Sequence, residues 1–158
     1  MYMSVVAREL ASEAYPELAG ARVVVSGLST TLGVDLARSF ADRKARLFVQ
    51  APERSPEMVE LAALLASSAS DLTLIDVPFG ASQSATRFAQ RAAETFGGID
   101  TVVNLAALSQ PELDAVASEH DIEELIVAKL SPLREITAVA ANRMALTWSE
   151  GSILNVIM

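Results

Sequence analysis

The stretch Arg22-Val23-Val24-Val25-Ser26-Gly27-Leu28-Ser29-Thr30-Thr31-Leu32-Gly33 decides the fold. Three consecutive valines after Arg22 predict a short strand, Arg22–Val25, apolar enough to be covered on both faces. The small residues that follow predict a tight turn. From Thr30 to Asp42 a helical period takes over, with Leu32, Leu36, Ala37 and Phe40 on one stripe. Strand, glycine turn and helix, in that order, are the first half of a βαβ unit.

The same alternation runs through the rest of the chain. Further strands are expected at Arg46–Gln50, Leu72–Asp76, Thr101–Asn104 and Ser152–Ile157, and further helices at Pro56–Ser67, Ser84–Phe96 and Asp121–Leu146. The second helix carries Met58, Leu61, Ala62 and Leu65 on one face with Val59 and Leu64 beside it, which predicts burial on more than one side. Pro132 lies inside the last helix and should kink it, since proline lacks the N–H and its ring meets the preceding turn. A short helix, Val5–Tyr15, is expected to lead into the first strand. No linker or repeat divides residues 1–158, so a single domain is predicted.

Composition narrows the chemistry. With 158 residues, 51% hydrophobic and 20% charged, the chain can bury a sizeable core. It has no Cys and one His, which excludes disulfides, thiolate zinc sites and cysteine nucleophiles, and no metal-ligand cluster is legible. A formal charge of −8 opposes nucleic acid and anionic membranes as partners. The first residues lack a secretory pattern and the longest apolar run, Leu61–Ala66, cannot span a bilayer, so a soluble, cytoplasmic protein is expected.

Three segments in the right order carry a resemblance: the loop Ser26–Gly33 before a helix, Asp76-Val77 after the third strand, and Gly97-Gly98-Ile99-Asp100-Thr101-Val102-Val103-Asn104-Leu105-Ala106-Ala107. Together they resemble the short-chain dehydrogenase/reductase family. That resemblance implies an α/β, three-layer Rossmann-like domain with a five-stranded parallel sheet of order 3-2-1-4-5. It also implies a bound NAD or NADP. The pyrophosphate would lie over Ser26, Gly27, Ser29, Thr31, Leu32 and Gly33, the adenine against Asp76 and Val77, and the rest beside Asn104 and Ala106.

The chain departs from the family pattern where the family does its chemistry. Thr31 replaces the middle glycine of the loop, and Ala51 stands where an acidic residue would hold the ribose of NAD. Arg54 is read either as a partner for the 2′-phosphate of NADP or as a solvated loop arginine beside Glu53. Leu105 and Ala107 replace the second Asn and the Gly of the fourth-strand motif. Lys129 falls at the catalytic Asn and Met158 at the catalytic Ser. The only tyrosines, Tyr2 and Tyr15, have Val6 and Ala19 four residues on, so no Y-x-x-x-K is present. No catalytic residue is therefore assigned. Three functional readings remain: an oxidoreductase-related NAD(P)-binding domain without hydride transfer of its own; a cofactor-free pseudoenzyme acting as a scaffold or regulatory module; or an ordinary flavodoxin-like or receiver-type α/β domain, against which stands the lack of an acidic cluster beyond Asp76 at the ends of the first and third strands.

In the family's order of elements the chain stops after the fifth strand. That would leave 152–157 as an edge strand and helix 121–146 short of cover. A homodimer through one of these surfaces is expected, with the segment Val5–Tyr15 folding over the gap as the alternative. Asp121 is expected to cap the last helix, with Glu123 and Glu124 in its first turn and His120 in a loop or capping role. Lys129 is read as snorkelling from an apolar stripe or as desolvated beside Ile126 and Leu133. Trp148 is read as core or interface.

Overall fold

Arg22–Ser26 forms β1, whose side chains alternate between two apolar layers. Val23 and Val25 pack into one, Val24 into the other, and none is exposed. The computed structural model describes residues 18–158, so the expected helix Val5–Tyr15, Tyr2 and Tyr15 lie outside the described residues. After β1 come α1 (Val34–Asp42), β2 (Arg46–Gln50), α2 (Pro56–Ser68), β3 (Asp71–Ile75), α3 (Ser84–Phe96), β4 (Thr101–Ala106), α4 (Gln110–Asp114), α5 (Glu119–Thr147) and β5 (Ser152–Ile157). All neighbouring strands are parallel, as the alternating pattern implied, and the sheet order is β3-β2-β1-β4-β5, as the resemblance implied.

One layer sets Ala37 and Ala41 of α1 and Met58, Leu61 and Leu65 of α2 against Val23, Val25, Leu47 and Val49. The opposite layer sets Phe88, Ala92 and Phe96 of α3 and Ile136 and Ala140 of α5 against Val24, Phe48 and Val102. Phe48 anchors that layer, its ring centroid 5.4 Å from Phe88 and 5.8 Å from Phe96. At the amino-terminal end of the sheet, Asp100 clasps Arg22. Its Oδ2 accepts from the Arg22 backbone N–H at 2.8 Å and from Nε at 2.9 Å, and its Oδ1 accepts from Nη2 at 2.7 Å.

Several expectations are corrected. α1 begins at Val34 rather than Thr30, because Gly33 adopts a left-handed φ of 85° as its N-cap and ends the loop there. β3 ends at Ile75, which leaves Asp76 as the first loop residue. α2 is buried on one side only: Met58, Leu61 and Leu65 face the sheet while Val59 and Leu64 are exposed. α5 starts at Glu119 with Ser118, not Asp121, as its cap. The Ser118 hydroxyl accepts from the Asp121 N–H at 3.2 Å, and the Asp121 carboxylate accepts from the Ala117 N–H at 3.0 Å. Trp148 closes α5 in a left-handed conformation and is 95% exposed, so it is not a core residue of the chain. The five-residue helix α4 is additional to the expected elements. None of its residues is buried, so it lacks the apolar period on which recognition relies.

Helix α5 has 29 residues and is therefore about 43 Å long, whereas strands of five or six residues reach only about 17–20 Å. It overhangs the sheet. All its buried residues, Leu133, Ile136, Ala140 and Met144, belong to its second half, and the expected stripe fails at Ile122 and Ile126, which are exposed. Pro132 is accommodated inside the continuous helix, at the junction between the overhanging and packed halves.

Candidate functional site

The chain leaves β1 toward α1 on one face of the sheet and leaves β4 toward α5 on the other. A crevice opens between the two departures, at the carboxyl ends of the strands. The structure has a cleft of about 270 Å³ there. One wall is the β1–α1 loop with Gly27, Ser29 and Leu32, and Gln50 and Pro52 extend it from the end of β2. Phe79, Ala106 and Ala107 form the floor and rim, and Ala128, Lys129, Pro132 and Leu133 of α5 form the opposite wall.

The β1–α1 loop is held by its own atoms. Ser29 Oγ accepts from the Leu32 N–H at 2.9 Å, while the Ser29 N–H donates to the Leu32 carbonyl at 3.1 Å. Gln50, almost fully buried, spans the loop ends: Oε1 accepts from the Gly27 N–H at 2.8 Å and Nε2 donates to the Val77 carbonyl at 2.8 Å. The Gln50 backbone carbonyl takes the Leu28 N–H at 3.0 Å. Gly27 and Gly33 both have positive φ, and a Cβ on either would overlap Leu105, at its carbonyl oxygen and its Cδ1 respectively. These glycines are thus demanded by contact between the loop and β4, whatever ligand the loop meets. The N-terminus of α1, by contrast, has no side-chain cap, so its first-turn N–H groups remain available to an anion.

Beneath the cleft runs a polar chain. Ser26 Oγ donates to Asn104 Oδ1 at 2.8 Å, and Asn104 Nδ2 donates to Asn155 Oδ1 at 2.9 Å, which ties β1, β4 and β5 together where their registers align. Asn104 is fully buried, which makes this pairing necessary.

Of the residues singled out from sequence, Ser26, Gly27, Ser29, Leu32 and Ala106 line the cleft. Thr31 is exposed on the loop, with Oγ1 3.2 Å from Ser29 Oγ, and Gly33 caps α1 behind it. Asp76 and Val77 lie to one side, beyond the β2 end. There Asp76 Oδ2 pairs with Arg54 Nε at 3.3 Å, so Arg54, a solvated loop arginine beside Glu53 that is 78% exposed, links the loops that follow β2 and β3. Ala51 is completely buried and offers no group to a ribose. His120 is an exposed helix residue 3.2 Å from Glu124. Lys129 neither snorkels freely nor sits desolvated among Ile126 and Leu133: its Nζ is 2.7 Å from Glu112 Oε1 of α4. This ammonium, together with the N–H and hydroxyl of Ser109, holds the Glu112 carboxyl down at about 2. Among the described residues, no group of three His, Asp or Glu could hold a metal, and no helix is long and apolar enough to cross a membrane.

Gln50 is the site residue that sequence reasoning passed over. Its signal was present: a lone amide ending the otherwise apolar run Leu47-Phe48-Val49. A buried amide needs partners, and at the end of a parallel strand those partners are loop groups.

A dinucleotide fits this geometry at its phosphate end, through the uncapped first turn of α1 and the adjoining loop. It finds no carboxylate for its ribose, and the Gly27, Leu28 and Leu32 N–H groups are already bonded within the protein.

Comparison with known proteins agrees with the architecture. Residues 21–157 match the family described as short chain dehydrogenase. Among solved structures, the NADH-dependent reductase A1-R′ complexed with NAD superposes with a TM-score of 0.71 at 15% identity, covering 89% of this chain and 60% of that one. A short-chain dehydrogenase from Oenococcus oeni PSU-1 gives 0.70 at 17% identity, covering 87% and 61%. A Serratia marcescens short-chain dehydrogenase/reductase variant gives 0.69 at 17% identity, covering 87% and 55%. The chain thus spans less than two thirds of the length of these proteins. No curated protein matches it in sequence.

Proposed function

The chain belongs to the short-chain dehydrogenase family, and from that premise we propose that it is an NAD(P)-binding domain of an oxidoreductase-related protein. The observation that carries the proposal is the cleft at the β1/β4 crevice, bounded by a glycine loop that leads into a helix start with no cap of its own. The first turn of α1 with Gly27, Ser29, Thr31, Leu32 and Gly33 would take the pyrophosphate. Asp76 and Val77 would face the adenine, and Ser26, Asn104 and Ala106 would support the floor. When bound, the nicotinamide supplies hydride chemistry. Arg54, beside a position 51 that has no carboxylate, favours the 2′-phosphorylated cofactor. Hydride transfer is not assigned to this stretch alone, because Lys129 and Met158 occupy the family's Asn and Ser positions and no Y-x-x-x-K is present.

A second reading is favoured by one specific observation. Leu105 fills the space that Gly27 and Gly33 leave, and the loop's own N–H groups are largely committed, as they would be in a cofactor-free scaffold or regulatory module. Thermal unfolding in saturating NAD, NADH, NADP and NADPH separates the two. At about 100 times its dissociation constant a ligand adds about 2.7 kcal/mol, several degrees in midpoint. A rise with NADPH larger than with NADH is expected, and no rise with any of the four leaves the scaffold reading.

A homodimer in a cytoplasmic setting is part of the proposal. It is supported by two exposed apolar surfaces, Ile122, Ile126, Val127 and Leu130 on the overhang of α5, and Leu154 and Ile157 on β5.

A further inference from the structure

We propose that the groove along α1 is the docking site of this chain's own amino-terminal segment, residues 1–17, seated through Val6, Leu10 and Ala14 and registered by pairing Arg8 with Asp35 and Glu17 with Arg43. The inference stands apart from the cofactor reading, because the groove shares no lining residue with the cleft.

The groove encloses about 500 Å³ and is lined by Leu18, Leu36 and Phe40 with the polar residues Asp35, Ser39 and Arg43. Leu36 and Phe40 are only partly buried against the core, so each keeps apolar surface that a further element can cover. Where the chain enters names that element. Leu18, the first of the described residues, itself lines the groove, and the Gly20 N–H donates to the Lys44 carbonyl at 2.8 Å, which fixes this stretch beside the end of α1. Residues 1–17 are thus tethered to the groove at their last residue, at an effective concentration on the order of millimolar that a separate partner would have to exceed.

Length, pattern and charge agree with that occupant. Val6, Leu10 and Ala14 recur at helical spacing with Met3 and Ala7 beside them. The expected helix Val5–Tyr15 measures about 16 Å, against about 14 Å for the nine residues of α1, and Pro16 stops it just before the tether. Because the segment starts at the end of α1, it can only run back along that helix in the antiparallel sense. This direction sets Glu17 at Arg43, whose Nη1 also donates to the Ser39 carbonyl at 2.9 Å. Arg8 then falls about 13 Å further on, close to the span of about 12 Å that separates Arg43 from Asp35 along α1. Acid meets base at both ends of the groove.

The chain has no Cys, so a disulfide between two introduced ones is unambiguous. In the full chain, A11C/S39C and A14C/S39C put one thiol on the segment and the other on the exposed Ser39 of the groove, whereas A11C/L154C and A14C/L154C put the second on β5. After mild oxidation at high dilution, mass spectrometry is expected to find at least one S39C pair closed within a single chain, with about tenfold more product than either L154C pair, since a disulfide needs Cα atoms within about 7 Å. Adding L10D should cut that yield about tenfold, the worth of one buried leucine. R8E should cut it about threefold at low salt, and D35R added to R8E should restore it. Preferential closure onto position 154 would place the segment over β5, and disulfides formed only between chains would place another copy in the groove. Either result overturns the proposal, as do equal yields at 39 and 154, no disulfide in any variant, or a yield indifferent to L10D. Failure of D35R to recover the R8E yield overturns the antiparallel register and with it the docking.

Discussion

Leu105 illustrates how one side chain can dictate its neighbours' identity. Its carbonyl oxygen presses on Gly27 and its Cδ1 on Gly33, and both glycines sit at positive φ. Gly33→Ala should cost about 1–3 kcal/mol in overpacking and backbone strain. The clash in that variant is with a side chain, so combining it with Leu105→Ala should recover part of the loss. Gly27→Ala meets backbone, and the same second substitution should recover none. A double-mutant cycle from chemical denaturation reads both coupling energies, and equal coupling for the two pairs would contradict this geometry. Gln50→Leu removes both bridges between the loops and leaves the Gly27 N–H and Val77 carbonyl without those partners. A loss of about 1–3 kcal/mol is expected from denaturation midpoints, with the glycine loop's amides exchanging faster than those of β4.

Among the elements, two carboxylates make stability depend on acid. The Arg22 guanidinium and N–H hold the Asp100 carboxyl below its ordinary range, joining the starts of β1 and β4. Lys129 and Ser109 hold Glu112 at about 2, joining α4 to α5. A carboxyl lowered by folding contributes its stability above its unfolded value and loses it as pH falls through the folded one. For Glu112 the loss therefore runs from the ordinary value, 4.5, down to about 2. Thermal midpoints of the wild type and E112Q should differ at neutral pH and converge across that window, and D100N should likewise flatten the acid limb. A gap that persists to the lowest pH would argue against these pairings as its source.

The strands and the helices that face the sheet were legible because their apolar residues repeat with the right period. What escaped was set by single atoms. α4 buries nothing, and only its capping box, Ser109 with Glu112, announces it. The caps of α1 and α5 moved because Gly33 is left-handed and because Ser118 offers a hydroxyl where Asp121 already serves Ala117. In the cleft, the glycine loop could be read from spacing. Gln50 announced itself only as a lone amide after an apolar run, and the role of Lys129 could not be read, since it depends on Glu112 in another element.

For the whole molecule, the overhang of α5 is the feature with the widest reach. It exposes Ile122, Ile126 and Val127, the last 61% exposed, while the packed half of the same helix holds the core. A V127E substitution should leave the unfolding midpoint of a monomer unchanged and, if the overhang forms the dimer, should shift the mass seen by light scattering to that of one chain. The same substitution on a dimer built through β5 would leave the mass unaltered. The position of β1 governs something different, the order in which the chain can assemble. Its pairing with β2 needs only one short crossover, whereas its pairing with β4, and the clasp of Arg22 on Asp100, must close a separation of 78 residues. Closure entropy favours the shorter connection first, so β1 waits with one edge unpaired until β4 arrives. Pulse-labelled amides in β1 and β2 should gain protection before those in β4 and β5. During that interval the three valines at the future centre of the sheet form an edge that another copy of the chain could join.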